Sequence, residues 1–359
     1  MSGATYWDYL GLDRLLALQG GLGPDRAPGP DELHFIIVHQ TYELWFKLIL
    51  SQLRLGRDHL AAPLVPEERV PFVVHHLARV NEILRICVEQ FRVMETLPPQ
   101  DFLDFRDRLF PASGFQSFQM REVEILLGLE EAQRVRYGDT DPLRHIQHLA
   151  ESSPAGALAW GRICAARAEG TLRGALLRWL GRTPIHGSAP GQLGDAEVVD
   201  AFLETYLARV VAHQDVVRDG LIAAFGEAER ARVDANLAGA LEGIRGFLLP
   251  EDRDERRARA ALVFIEAYRE LPLLAWPRLL LDTVVEVEEQ LLLFRNRHAR
   301  MVERTIGRRV GTGGSAGVDY LDKTTTYRVF PELWAVRTAL LPRAFLPPLI
   351  NPGRYGFVG

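Results

Sequence analysis

The sequence predicts an all-α protein, and three observations predict it. Apolar residues recur at steps of three and four, so that Val284, Val287, Leu291, Phe294, His298 and Met301 fall on one helix face. Alternating apolar runs closed by hairpin turns do not occur, and no segment repeats at a fixed period. Start and stop residues bracket the periodic stretches, beginning with Thr5 and Asp8 and with Gly20-Gly21.

In chain order, Thr5 with Asp8 reads as a variant of the capping box, opening a helix that runs through Leu18 and stops at Gly20-Gly21. The Gly/Pro-rich stretch 21–30 is a loop. Helices are expected over 31–60, 66–97 and 115–127, and residues 128–153 read as polar and irregular. Helical patterns return near 155–180, 194–224 and 227–248. The mixed-charge run 251–259 reads as the solvated start of a further helix rather than a nucleic-acid contact. A long helix is expected over 277–306, and the tail 318–359 carries short helices and ends rich in Pro and Gly. Residues 187–194 look like a surface loop and not a linker, so the chain is expected to form one all-helical domain over 1–359.

Composition narrows the function classes. Of 359 residues, 47% are hydrophobic and 25% charged, which supports a buried core. The formal net charge is -5, which gives no pull toward nucleic acid or an anionic membrane. No apolar run approaches the roughly 20 residues a membrane helix needs. The N-terminus lacks a basic region followed by an apolar run, so no secretory signal is expected. Cys87 and Cys164 form neither a disulfide framework nor a zinc pattern and fit a reducing cytoplasm.

Four pieces carry chemistry. His298 sits in the apolar stripe of the long helix, flanked by Arg295, Arg297, Arg300 and Arg304. It reads either as a core histidine bonded to a carbonyl or as an axial haem ligand, with an apolar wall for the porphyrin and arginines for its propionates. Phe35, His39, Tyr42 and Phe46 share one face at i, i+4, i+7 and i+11. They read either as an aromatic core stripe or as a pocket wall, where a ring stacks on a flat ligand and the imidazole bonds its polar edge. The run Gly311-Thr-Gly313-Gly314-Ser-Ala316 matches G-x-G-x-x-A, but a helix precedes it and no βαβ unit surrounds it, so the dinucleotide reading fails. It reads either as a flexible helix exit or as a lid in which Thr312 offers a hydroxyl. Arg106, among Phe102, Phe105 and Phe110, reads either as a planar clamp for a carboxylate or as a surface ion pair with Asp104 or Asp107. His145 and His148 lack companion ligands, and adjacent His75 and His76 cannot face one site from a single helix.

In this order, the four pieces resemble the tryptophan 2,3-dioxygenase family. Tyr6-Trp-Asp-Tyr9-Leu-Gly-Leu-Asp-Arg-Leu-Leu is similar to the family's N-terminal segment, and Asp31-Glu-Leu-His-Phe35-Ile-Ile-Val-His39-Gln-Thr-Tyr-Glu-Leu-Trp-Phe-Lys to its first pocket helix. Glu95-Thr-Leu, Phe105-Arg106, Pro111-Ala-Ser-Gly-Phe-Gln-Ser117, His298 and Gly311-Thr-Gly-Gly-Ser-Ala-Gly317 follow the same pattern. The likeness covers residues 4–127 and 278–340, while the middle, 128–275, diverges.

The resemblance implies an all-helical enzyme that uses haem b (iron protoporphyrin IX). It implies O2-dependent cleavage of the indole C2=C3 bond of L-tryptophan, or a substituted tryptophan, to N-formyl-L-kynurenine. His298 would be the iron ligand, with Ser113 and Gly114 near the haem edge. His39 would lie on the other side and meet the indole N–H, and Phe35 would pack beside the indole. Arg106 would pair with the substrate carboxylate and Thr312 with its ammonium. The resemblance also implies a homotetramer in which the segment 1–20, with Tyr6 and Tyr9, reaches a neighbouring subunit's pocket. Three departures stand out: Phe294 where the family often has Trp, Ala316 for a common Ser, and Asn296 for a usual aromatic. They leave open a haem monooxygenase that inserts one oxygen atom into a tryptophan-like indole. The remaining alternatives are a haem or ligand sensor without turnover and a plain helical protein.

Overall fold

A computed structural model describes residues 4–21, 26–66, 68–110, 112–135, 142–151, 153–311 and 317–355. Among these the secondary structure is helical. No strand forms, and only an isolated bridge joins Ile185 to Ser188. No helix is long and apolar enough to cross a membrane among the described residues.

The helices are α1 (Tyr6–Leu10), α2 (Leu12–Leu15), α3 (Pro30–Ala61), α4 (Arg69–Met94), α5 (Pro99–Arg106), α6 (Phe118–Leu127), α7 (Pro142–Ala150), α8 (Pro154–Ala168), α9 (Leu172–Arg182), α10 (Asp195–Phe225), α11 (Arg230–Leu248), α12 (Arg253–Ala267), α13 (Ala275–Ile306), α14 (Val318–Thr324) and α15 (Pro331–Ala339).

Local chemistry accounts for several boundaries, and corrects three expectations. The first helix divides at Gly11, which takes φ +60 and closes α1 with its N–H on Asp8 and Trp7 carbonyls, a conformation glycine adopts without a Cβ clash. The pattern near 155–180 is two helices, because the Thr171 hydroxyl accepts from Gly174 N and starts α9 afresh. The stretch expected to be irregular contains α7, an amphipathic helix whose Leu143 and Ile146 are buried. Asp252 caps α12, in line with a helix starting in the mixed-charge run. Ser117 caps α6, after a 3-10 turn at Gly114–Gln116.

Two compact units make up the chain. The first comprises Met1–Leu53, Ala78–Glu169 and Val287–Tyr327. Within it the Tyr42 hydroxyl of α3 donates to the Cys87 carbonyl of α4 at 3.0 Å, and Gln90 Nε2 of α4 donates to Val38 O at 3.0 Å. A satellite core of Ile125, Leu143, Ile163 and Ala166, flanked by Phe118 and Trp160, joins α6, α7 and α8. This is how the stretch after α6 contributes: it buries the helix face turned away from the cavity described below. Arg162 of α8 forms an ion pair with Glu122 of α6 at 2.8 Å over the same join.

The second unit comprises Arg54–Leu77, Gly170–Glu286 and Arg328–Gly359. Its core sets α9 and α12 together, with Leu176, Leu180, Ala261 and Phe264 fully buried. The Tyr206 hydroxyl donates to Ala339 O at 3.0 Å and the Tyr268 hydroxyl to Pro347 O at 2.7 Å, which tie the C-terminal segment to α10 and α12.

Candidate functional site

A cavity of about 280 Å3 lies within the first unit. Helix α3 supplies His39, Tyr42, Glu43 and Phe46 to its wall, and α4 supplies Phe91 and Met94. Phe102 and Arg106 come from α5, and Ser113, Gly114 and Ser117 from the turn before α6. Met120, Arg121 and Glu124 of α6, Phe294, Arg295, His298 and Met301 of α13, and Tyr320 and Thr324 of α14 complete it, with Gly311 and Gly317 at the ends of the glycine run. These residues lie up to 285 positions apart in sequence (from His39 to Thr324).

His298 projects from the buried stripe of α13. Its ring lies nearly parallel to Phe91, at 5.6 Å and 12°, and 6.2 Å from Phe294. Among the described residues it has no hydrogen-bond partner, which argues against a core histidine bonded to a carbonyl. Burial, reinforced by repulsion from the protonated form of His39 and from Arg121, pushes its pKa down to about 4. At neutral pH the imidazole is therefore uncharged and has a lone pair to give.

His39 faces the same cavity from α3. Its Nδ1 lies 2.8 Å from the Phe35 carbonyl, which accepts from it. Burial lowers its pKa, against the opposing effects of that bond and of Glu43. The neutral ring thus protonated at Nδ1 leaves Nε2 as an acceptor. Phe35 itself does not line the cavity. It lies behind His39, with ring centroids 4.0 Å apart, and stacks on Phe102 at 5.7 Å.

Arg106 lies at the cavity edge, its side chain 14% exposed. It donates to the Val310 carbonyl and stands 3.7 Å from Asp107, so the surface ion pair exists but is a long one. Among the described residues its Nε is buried without a partner. Ser113 and Gly114 both line the cavity, and a Cβ added at Gly114 would meet no described residue within 4 Å. Tyr6 and Tyr9 are 70% and 82% exposed and lie outside the cavity wall of their own chain. Thr312 lies outside the described residues.

The flanking arginines of α13 separate. Arg297 pairs with Glu95 at 2.8 Å, and Arg300 with Glu303 at 2.5 Å. Only Arg295 turns to the cavity. It joins a buried cluster that sequence reasoning missed. Glu124 accepts from Arg134 at 2.6 Å and from Arg295 at 2.8 Å, and lies 3.1 Å from Arg121. Against the cost of burial, these three cations hold the Glu124 carboxyl down at about 2. Arg295 also donates to Thr324 O at 3.0 Å and stacks its guanidinium 4.3 Å from the Tyr327 ring. The available signal was Arg121 and Glu124 at i, i+3 in a helix whose other residues are mostly apolar. Glu43 was missed as well: it accepts from Ser117 Oγ at 2.7 Å and from Gln119 Nε2 at 2.8 Å, fixing α6 against α3.

The family model for tryptophan 2,3-dioxygenase matches residues 1–340 of this chain. Among its relatives, a tryptophan 2,3-dioxygenase of Sorangium cellulosum is 46% identical over 98% of this chain and 87% of its own length. Tryptophan 2,3-dioxygenase 2 of Ralstonia nicotianae is 46% identical over 99% of this chain and 98% of its own length. A tryptophan 2,3-dioxygenase of Bdellovibrio bacteriovorus is 33% identical over 96% of this chain and 95% of its own.

Proposed function

From the premise that this chain belongs to the tryptophan 2,3-dioxygenase family, we propose that the cavity of the first unit is where it carries out the oxidative cleavage of tryptophan. The reaction opens the indole C2=C3 bond with O2 and yields N-formyl-L-kynurenine, both oxygen atoms staying in the product. The observation that carries the assignment is that two uncharged imidazoles, His39 and His298, face one largely apolar cavity with a guanidinium at its edge.

The donor set fits haem b. His298 is a neutral imidazole with no hydrogen-bond partner among the described residues, set among Phe91, Phe294 and Met301, which suits an iron ligand with an apolar flank for the macrocycle. Gly114 leaves open space where a side chain would stand, next to Ser113, so these two would take the haem edge. When bound, the haem iron supplies the O2 chemistry, which no side chain here can.

The chain's own residues bind and orient. Nε2 of His39 accepts a hydrogen bond from the indole N–H, and Phe35 supports that ring from behind. Arg106 pairs with the carboxylate in the planar fork a carboxylate prefers. Thr312 takes the ammonium. The apolar wall keeps water from the reacting edge, so the protein's share is orientation and exclusion.

The wider reading is one catalytic domain, a homotetramer and a cytoplasmic, catabolic enzyme. Support for shared sites comes from α1 and α2, which bury no residue of their own and hold Tyr6 and Tyr9 exposed. Removal of residues 1–12 should impair activity, and a fully active truncated protein would rule out a shared site.

The decisive assay mixes the reduced, haem-loaded protein with L-tryptophan and air, and follows product absorbance and mass. A product heavier by two oxygen atoms, formed without further reductant, is expected. A one-oxygen product or no product would refute the proposal.

A further inference from the structure

We propose that the buried cluster of Arg121, Arg295 and Arg134 around Glu124 is a carboxylate-binding site that anchors a propionate of the bound haem, with Arg121 as the direct contact. This rests on the haem reading above.

The first ground is charge. Three guanidiniums surround one carboxylate, and among the described residues the carboxylate acting on Arg121 and Arg295 is Glu124. Glu124 is fully ionised at neutral pH, so it cancels one cation and leaves a surplus of positive charge. Arg134 and Arg295 keep side chains only 2% and 5% exposed, and Arg121 12%. Surplus charge removed from water is costly unless an anion joins it.

The second ground is satisfaction. Among the described residues Arg121 Nε is buried without a hydrogen-bond partner, and so are Nε and one terminal nitrogen of Arg134. Buried guanidinium donors left unmade are uncommon in a folded core. Arg295 has less to spare, since its two terminal nitrogens are committed to Thr324 O and Glu124.

The third ground is position. Arg121 and Arg295 line the same cavity as His298, and the positive charge of Arg121 acts on the His298 ring. A ligand held at His298 and carrying a carboxylate at its rim therefore meets Arg121 within that cavity. Two carboxylates are candidates, a haem propionate and the amino-acid substrate. Arg106, at the opposite end of the loop 107–117 from α6, is the site proposed for the substrate, which leaves the α6 cluster for the haem.

The test measures haem loss from the full-length holoprotein to excess apomyoglobin. Two samples of the unaltered protein are loaded, one with haem and one with its dimethyl ester, whose propionates carry no charge. An Arg121→Gln variant is loaded with both. The ester should leave the unaltered protein about tenfold faster or more, as expected for loss of a charge-assisted hydrogen bond. In Arg121→Gln the two should leave at nearly the same rate. Equal rates in the unaltered protein would overturn the proposal while leaving His298 as ligand intact, and they do so without reliance on the variant folding. A variant that held haem at the unaltered rate yet bound L-tryptophan more weakly would overturn it too, moving the cluster to the substrate. No Soret band with either compound would overturn the haem reading and this proposal together.

Discussion

Nδ1 of His39 sits 2.8 Å from the carbonyl oxygen of Phe35, one turn earlier on α3. A carbonyl only accepts, so Nδ1 carries the ring proton and Nε2 keeps the lone pair. His39→Ala should lower kcat/KM for L-tryptophan by about two- to tenfold, the range of one neutral hydrogen bond. A tryptophan methylated at the indole nitrogen, which has no N–H to give, should respond much less. Equal losses for both compounds would refute the contact.

His298→Ala removes the only imidazole in the α13 wall of the cavity. The variant should keep its helical far-UV circular dichroism and fail to hold a stable Soret band. A normal Soret band in the folded variant would sink the ligand assignment.

Arg106 holds the Val310 carbonyl, and its Nε has no partner among the described residues. If it also clamps the substrate carboxylate, Arg106→Ala should raise KM for L-tryptophan by about ten- to a hundredfold, the range for hydrogen bonds to charged groups. Tryptamine has no carboxylate, and its KM should be unaffected. A matching rise for tryptamine would point to a loss of cavity shape instead.

Glu124 has its carboxyl held at about 2 in the folded chain, against an ordinary value of 4.5. A depressed carboxylate contributes its full stability above the unfolded value and loses it as pH falls through the folded one. Acid should therefore weaken the first unit progressively from about pH 4.5 toward 2. Glu124→Gln leaves three buried cations facing a neutral amide, a loss of about 3–5 kcal/mol for a broken buried pair. Its Tm should be lower at pH 7, and the fall in Tm from pH 5 to 3 shallower. An unchanged slope would show that other carboxylates carry the acid sensitivity.

Gly317, the last of the glycine run, takes φ +54, and a Cβ there would come within 2.8 Å of the Arg309 carbonyl. Gly317→Ala should cost about 1–3 kcal/mol of backbone strain. Because Gly317 lines the cavity, KM for tryptophan should rise along with the drop in Tm. A variant with unaltered Tm and KM would mean the wall relaxes freely.

The helical class and the positions of α3, α4, α6 and α13 were legible in the sequence, because an amphipathic helix writes its buried face into neighbours three and four residues apart. The same local rule placed His298 and His39 on apolar faces. It misread residues 128–153, where polar residues and Pro142 mask the short helix α7, whose partner face lies on α8. Local spacing also treated the four arginines around His298 alike. Tertiary packing alone sent Arg295 to Glu124, 171 residues away in sequence, and Arg297 to Glu95. It also decided that Phe35 stands behind His39 and not in the cavity wall, and that Arg121 and Glu124 face the histidines. The division has one physical cause. Periodicity reports whether a side chain leaves water, but a buried charge is viable only beside a counter-charge, and which one it meets depends on how separate helices pack.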